Sequence, residues 1–156
     1  MLLPNARSTK LGVRVILTAM LVLGVPAAAI ASPSAVKHVA PGGACGGATP
    51  CFSSIQDAVD AADAGDEIRI ATGVYTGAEV VSFERTGKRH WYTQVVYIDK
   101  SLSLLGGYSP QNWSAPDSIA NPTTIDAEQH GRGITIFGDG SQSVRIEDLT
   151  ITGGDY

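Results

Sequence analysis

Residues 53–76 read SSIQDAVDAADAGDEIRIATGVYT, and this stretch predicts a short helix that runs directly into a strand. Its apolar residues follow the spacing of a helix with one buried face, at Ile55, Ala58, Val59 and Ala62. Ser53 or Ser54 can accept hydrogen bonds from the N–H groups of the first turn. Gly65 is placed to adopt the left-handed conformation that ends such a helix. We therefore expect a helix over residues 53–63.

Short β-type runs follow this helix to the end of the sequence. The first, Glu67–Ile70, alternates polar and apolar residues, which is the period of a half-buried strand. Further runs are Val95–Ile98, Leu102–Leu105, Thr123–Ile125, Ile134–Phe137, Val144–Ile146 and Leu149–Thr152. Glycine-rich turns separate them, and no second helical period appears, so the pattern predicts an all-β fold. The residues expected to face its interior near the end are Ile134, Ile136, Val144, Ile146, Leu149 and Ile151.

Four segments carry a resemblance to a known family. They are IQDAVDAADAGDEIRIATGVYTG at 55–77, YIDKSLSLLGGYS at 97–109, TTIDAEQHGRGITIFGDG at 123–140 and VRIEDLTITGG at 144–154. In this order they resemble the N-terminal part of right-handed parallel β-helix proteins of the pectin-lyase-like superfold. The resemblance implies a solenoid with coils of about two dozen residues. Residues 53–156 would form its N-terminal cap and first coils, with the 53–63 helix as the capping element.

The last predicted strand and turn have nothing after them to cover the final coil of such a solenoid. A terminal coil needs a cap, because it otherwise exposes apolar core and unpaired strand edges. On this ground we expect the chain to be an incomplete fragment of a longer repeat protein.

Residues 1–31 have the organisation of a secretory signal peptide. Basic residues precede an apolar run over 15–30, and small residues then mark a cleavage site after Ala31. The alternative is a membrane anchor, but the run is short for a span and contains Pro26. We therefore expect a secreted or cell-surface protein without a membrane span after cleavage.

The charge balance argues against a nucleic-acid partner. The full sequence has 11 Lys+Arg and 15 Asp+Glu residues, a net charge of −4. The leader contains three of the basic residues and no acid, so the mature chain has a net charge of −7. A nucleic-acid binder would need a basic face.

Two cysteines, Cys45 and Cys51, lie in residues 32–52, which read as a linker rich in Pro, Gly and Ala. Export to an oxidising compartment favours a disulfide between them. A metal site is the weaker alternative, because two thiols alone do not make a zinc ligand set. We therefore predict a Cys45–Cys51 disulfide and no metal.

Aromatic residues on or beside polar loops are the best binding candidates. Two loops are predicted, over residues 77–92 and 108–122, and Trp113 is expected to be exposed. The aromatic residues are Trp91, Tyr92, Tyr108 and Trp113. Sugar rings stack on such faces, so a polysaccharide or cell-surface glycan is the expected partner. The alternative is that these loops pack against the outer wall of the fold.

An acidic set at Asp126, Glu128 and Asp139 is the only candidate for chemistry. Polysaccharide lyases on the resembled scaffold use acidic residues to hold Ca²⁺ and a basic residue to take a proton, a role open to Arg132 or Arg145. The alternative, which we favour, is that the acidic residues serve turns, with Asp126 accepting N–H groups in an Asx-type turn. We assign no catalytic residue and no cofactor.

Together these observations predict a secreted or cell-surface protein that binds a glycan or another partner, or has a structural role, without a complete active site in this chain. The alternative is the N-terminal part of a polysaccharide lyase or glycoside hydrolase whose catalytic coils lie beyond residue 156.

Overall fold

The computed structural model describes residues 34–155, so the predicted signal peptide and its cleavage site lie outside the described residues. This part of the chain is predominantly β, as predicted, with one short α-helix. The helix α1 spans Ile55–Asp60, and a 3-10 turn spans Pro41–Gly43. The strands are β1 (Val36–Val39), β2 (Cys51–Phe52), β3 (Glu67–Ala71), β4 (Gly73–Tyr75), β5 (Glu79–Arg85), β6 (Lys88–Ile98), β7 (Leu102–Tyr108), β8 (Thr123–Asp126), β9 (Arg132–Ile136), β10 (Val144–Glu147) and β11 (Thr150–Thr152).

The strands form three sheets. The first sheet has the order β10-β7-β3-β1-β2 and is parallel throughout. The second sheet, β11-β8-β4, is also parallel. The third sheet has the order β5-β6-β9, in which β5 and β6 are antiparallel and β6 and β9 are parallel. The predicted linker over residues 32–52 thus contributes β1 and β2 to the first sheet.

One core is shared by the strands and the helix. Alternate residues of the strands are inaccessible to solvent, as their period of two requires. The fully buried large side chains of this core include Val39, Ile68, Ile70, Val96, Ile98, Leu104 and Ile125. The apolar face of α1 is buried against the same core, through Ile55, Ala58, Val59 and Ala62. The helical stripe in the sequence therefore predicted the buried face correctly.

Gln56 joins α1 to the third sheet. Its side-chain Oε1 accepts the N–H of Tyr97 at 2.7 Å, and its Nε2 donates to the carbonyl of Tyr97 at 3.3 Å and to Asp60 at 2.8 Å. The amide of Gln56 thus takes the place of a neighbouring strand beside β6. Because Gln56 is buried, its donor and acceptor both need such partners.

A buried ion pair fixes the start of the first sheet. Lys37 on β1 donates to Asp66, just before β3, at 2.6 Å, and both side chains are almost inaccessible. Asp66 also accepts the N–H groups of Ala35 and Asp63, each at 2.9 Å. Burial alone would raise the pKa of Asp66, but these hydrogen bonds outweigh it and lower the pKa of the carboxyl.

The expected right-handed parallel β-helix of the pectin-lyase-like superfold is wrong for the described residues, in which no solenoid is detected. A solenoid repeats at a nearly constant spacing. In this protein the separation between paired residues varies. Glu67 and Ser103 are 36 residues apart, Ser103 and Arg145 are 42 apart, and Thr124 and Thr150 are only 26 apart. An antiparallel hairpin, β5–β6, also interrupts the series of parallel pairs. The short strands and turns that carried the resemblance instead build three sheets.

The interior positions predicted near the end of the chain divide into two groups. Ile134, Val144, Ile146 and Leu149 are partly buried against the core. Ile136 and Ile151 are instead 52% and 49% exposed. Ile136 is the last residue of β9, and Ile151 lies on the three-residue strand β11, whose residues are all exposed.

Candidate functional site

Two of the four predicted sugar-contact residues are used in internal packing. Tyr108 is only 4% exposed and Trp113 is half-buried. Their rings stack with centroids 5.9 Å apart, and the edge of His38 meets Trp113 at 4.8 Å. The guanidinium carbon of Arg69 lies 5.4 Å from the Tyr108 ring centroid. We call these four residues the Trp113 cluster.

The Trp113 cluster ties the loop after β7 to the disulfide loop. The predicted bond between Cys45 and Cys51 is formed. The indole Nε1 of Trp113 donates to the carbonyl of Cys45 at 3.0 Å, and Arg69 donates to the carbonyl of Trp113. The indole also packs against the small apolar group around Cys45. The loop after β7 thus packs against the fold, which is the alternative that the sequence analysis left open for these aromatic residues.

Burial also sets the protonation of the Trp113 cluster. Burial lowers the pKa of His38. A hydrogen bond to the Pro50 carbonyl opposes this shift, and the positive charge of Arg69 adds to it. Burial raises the pKa of Tyr108. Both shifts favour the neutral forms of these two side chains, which agrees with their packing in the Trp113 cluster.

The predicted loop over residues 77–92 is instead most of the β5–β6 hairpin. Its seven paired positions run from Glu79 opposite Gln94 to Arg85 opposite Lys88. Thr86 and Gly87 form the two-residue turn with φ angles of 53° and 74°. Positive φ at both positions is typical of the turns that match the twist of a hairpin. The signal in the sequence was this Thr-Gly pair between two β-type runs, which is weaker than Asn-Gly.

One face of the hairpin presents Trp91, which is 64% exposed. Trp91 stands opposite Ser82, and Val80 on the same face is 57% exposed. The guanidinium carbon of Arg89 lies 5.9 Å from the Trp91 ring centroid. Arg89 also approaches Glu84 at 3.9 Å, a long contact between two exposed side chains. This face therefore combines an accessible aromatic ring with a cation.

Tyr92 belongs to the other face, because neighbouring residues of a strand point to opposite sides. It is half-buried, and the guanidinium carbon of Arg132 on β9 lies 4.5 Å from its ring centroid. His90 stacks on it at 6.4 Å. The structure therefore places the four predicted aromatic residues in three different surroundings, of which only that of Trp91 leaves a ring mostly exposed.

The predicted acidic set does not form a metal site. Among the described residues, no group of three or more His, Cys, Asp or Glu side chains could hold a metal ion. Asp126 accepts the N–H of Glu128 at 2.9 Å, and Asp139 accepts the N–H and hydroxyl of Ser141 at 2.9 and 2.6 Å. These hydrogen bonds lower the pKa of Asp139. Asp126 and Asp139 thus serve turns, as the alternative interpretation held.

The two candidate bases are also engaged. Arg145 forms a two-pronged hydrogen bond with Glu147, at 2.6 and 2.5 Å. This pairing raises the pKa of Arg145 and lowers that of Glu147. Arg132 lies over Tyr92, while Asp126 and Asp139 are held in their own turns. Arg132 and Arg145 are therefore not arranged with Asp126 and Asp139 around a common position for a substrate atom.

The described Lys and Arg side chains differ in how they are paired. Close internal partners are formed by Lys37 with Asp66, Arg69 with Glu67, Arg145 with Glu147, and Lys100 with the carbonyls of Val59 and Ala62. Lys88 and Arg89 lie on the hairpin, and Arg132 lies beside it over Tyr92. Among the described residues, Lys88 has no salt-bridge partner and Arg89 has only its long contact with Glu84. The hairpin therefore presents two exposed cations near its turn, Lys88 and Arg89, with the carboxylate of Glu84 beside Arg89, on a chain that is acidic as a whole.

No protein-family model matches the chain, and no curated protein or solved structure is significantly similar to it. Within residues 34–155, no helix is long and apolar enough to cross a membrane.

Proposed function

We propose that this protein is an exported, non-catalytic binding protein whose β5–β6 hairpin takes an acidic polysaccharide. The observation that carries the proposal is the exposed Trp91 ring with the Arg89 guanidinium beside it. A sugar ring offers an apolar face that can stack on an indole, and a uronic acid adds a carboxylate at the ring edge. Arg89 is placed to meet such a carboxylate.

The distribution of charge supports an anionic ligand. The hairpin holds cations that internal carboxylates leave largely unneutralised, while the chain as a whole is acidic. An anionic ligand that contacts the hairpin alone gains their attraction. The disulfide supports export, since such bonds persist in oxidising compartments.

The test compares a uronic-acid polymer with its carboxyl-reduced, neutral form by affinity electrophoresis of the full chain. We expect the uronic-acid polymer to retard the protein. Replacement Trp91→Ala should weaken binding about tenfold through loss of ring stacking. The matched control is Val80→Ala, which removes an exposed apolar side chain from the same face without removing a ring, and should leave the affinity within about twofold.

Different failures have different meanings. Equal retardation by both polymers, lost in the Trp91 variant, would retain glycan binding but reject the acidic ligand. Unchanged affinity of the Trp91→Ala variant would reject the site. Retardation by DNA of similar charge as strong as by the uronic-acid polymer would reject the ligand class.

A further inference from the structure

A second surface feature lies at the carboxyl end of the third sheet, away from the hairpin turn. It is a cleft of about 530 Å³. Its lining residues are Tyr97, Asp99, Phe137, Gly138, Asp139 and Gln142. Two aromatic rings, two carboxylates and one amide thus meet in a single cleft that the proposed glycan site does not use.

Parallel pairing brings these side chains together. Tyr97 on β6 is opposite Thr135 on β9, and the N–H of Phe137 donates to the carbonyl of Ile98 at 2.8 Å. This hydrogen bond extends the parallel pairing of β6 and β9 by one residue. Asp99 and Phe137, which follow the two strands, therefore lie next to each other at the end of the sheet. Ile98 faces the core, and therefore its neighbours Tyr97 and Asp99 face outward.

The turn after β9 closes the other side of the cleft. Asp139 accepts two hydrogen bonds from Ser141, which hold the turn in a folded form. The side chain of Gln142 lies against Gly138, where any β-carbon would overlap it. The absence of a side chain at position 138 thus leaves room for the Gln142 amide at the cleft.

Several polar groups of the cleft have unused hydrogen-bonding capacity. The Tyr97 hydroxyl, the Asp99 carboxylate and the Gln142 amide make no hydrogen bond or ion pair with the rest of residues 34–155. Lys100, next to Asp99, is turned to the end of α1, where it donates to the carbonyls of Val59 and Ala62 at 3.2 and 3.1 Å. The charge of Asp99 therefore lacks an internal counterion.

We propose that this cleft binds a compact organic ammonium ion, held between the rings of Tyr97 and Phe137 and the carboxylates of Asp99 and Asp139. Aromatic faces attract cations, and carboxylates add charge-assisted hydrogen bonds or direct attraction. An anion would be repelled, and a neutral ligand would leave both charges uncompensated. The hydrogen bonds from Ser141 keep Asp139 ionised by lowering its pKa. Burial and Asp99 raise the pKa of Tyr97, so its hydroxyl remains a donor at neutral pH.

The experiment uses the full chain and two ligands of nearly equal shape. Choline carries a positive charge, and 3,3-dimethylbutan-1-ol is its neutral counterpart. Titration followed by NMR should show choline binding at least about tenfold tighter, because only the charged ligand gains the cation–π and carboxylate interactions. Equal affinity for the two, or no saturable binding of choline, would overturn the proposal.

Variants locate the binding. Asp99→Asn and Phe137→Leu should each weaken choline binding about tenfold, whereas Glu128→Gln, which changes an exposed acid outside the cleft, should not. Unchanged affinity in both cleft variants would overturn the assignment. A parallel titration with glucosamine and N-acetylglucosamine distinguishes the source of the cation. Tighter binding of glucosamine than of N-acetylglucosamine indicates an ammonium group carried by a sugar. Equal binding of these two sugars, together with choline binding, indicates a small free cation.

Discussion

At the scale of single residues, Asp66 contributes most clearly to stability. Its carboxylate receives Lys37 and two backbone N–H groups while almost inaccessible to solvent. A buried pair of this kind is costly to break, because the remaining charge keeps its desolvation cost and loses its partner. Surface pairs such as Glu84 with Arg89 carry no comparable penalty.

We predict that Asp66→Asn lowers the free energy of unfolding by about 3–5 kcal/mol in urea titrations at pH 7, because it leaves Lys37 buried without a counterion. Glu84→Gln is the control and should change it by less than about 1 kcal/mol. Similar effects of the two changes would contradict the role given to the buried pair.

The same carboxyl makes stability depend on pH. The pKa of Asp66 in the folded state is below its ordinary value of 3.8. Its contribution is therefore fully present above that ordinary value and is lost as the pH falls through the lowered folded-state pKa. Thermal unfolding from pH 7 to pH 2 should show an acid-side loss of stability that is smaller in Asp66→Asn. An equal loss in both proteins would assign the acid sensitivity to other groups.

Trp113 illustrates a residue whose role changes once its neighbours are known. From the sequence it was expected to be exposed, and replacing an exposed side chain leaves stability nearly unchanged. The indole instead packs in the Trp113 cluster and donates to Cys45. We now predict that Trp113→Ala lowers the free energy of unfolding by about 2 kcal/mol, from lost packing and an unmatched carbonyl. Trp91→Ala is the matched control, with an expected change below about 0.5 kcal/mol in the same denaturation assay.

At the scale of elements, α1 depends on one side chain for its attachment to the third sheet. Six residues are too few for a helix to be stable alone, so its structure comes from contacts with the strands. Its buried apolar face supplies most of these contacts, and the amide of Gln56 supplies the polar ones with Tyr97.

We predict that Gln56→Leu lowers the free energy of unfolding by about 1–3 kcal/mol, because the N–H and carbonyl of Tyr97 lose their partners beside β6. Hydrogen exchange should show faster exchange at the Tyr97 amide in particular. The control Gln111→Leu alters an exposed loop residue and should change stability by less than about 0.5 kcal/mol. Unchanged protection of Tyr97 in the Gln56 variant would contradict this role.

At the scale of the whole molecule, the disulfide ties the start of β2 to the loop whose Cys45 carbonyl accepts the hydrogen bond of the Trp113 indole. The two cysteines, Cys45 and Cys51, are six positions apart in the sequence. Replacing both cysteines by alanine should lower the free energy of unfolding by about 2 kcal/mol, mainly through the greater freedom of the unfolded chain. Addition of a reductant should produce a similar loss in the original protein and none in the double variant; a further loss in that variant would contradict the assignment.

The features predicted from the sequence are those that local spacing determines. The helical stripe identified the buried face of α1, alternation located most strands, and the two cysteines indicated their bond. The hairpin was missed because Thr86-Gly87 is a weak turn signal. The solenoid was wrongly predicted, because the paired strands are separated by unequal lengths of chain. The cleft escaped prediction for the same reason: Tyr97 and Gln142 are distant in sequence and meet only through the register of β6 and β9.

The separations between parallel partners also set the order in which this protein can acquire structure. Before Glu67 can pair with Ser103, or Val74 with Thr124, the intervening segment must close on itself, and the entropy lost is recovered only when the sheets join. Among the strand pairs of residues 34–155, only the β5–β6 hairpin joins strands that are separated by a short turn. A newly made chain should therefore remain open for longer than a helical protein of this size, which agrees with the proposed export of an unfolded polypeptide before its cysteines are oxidised.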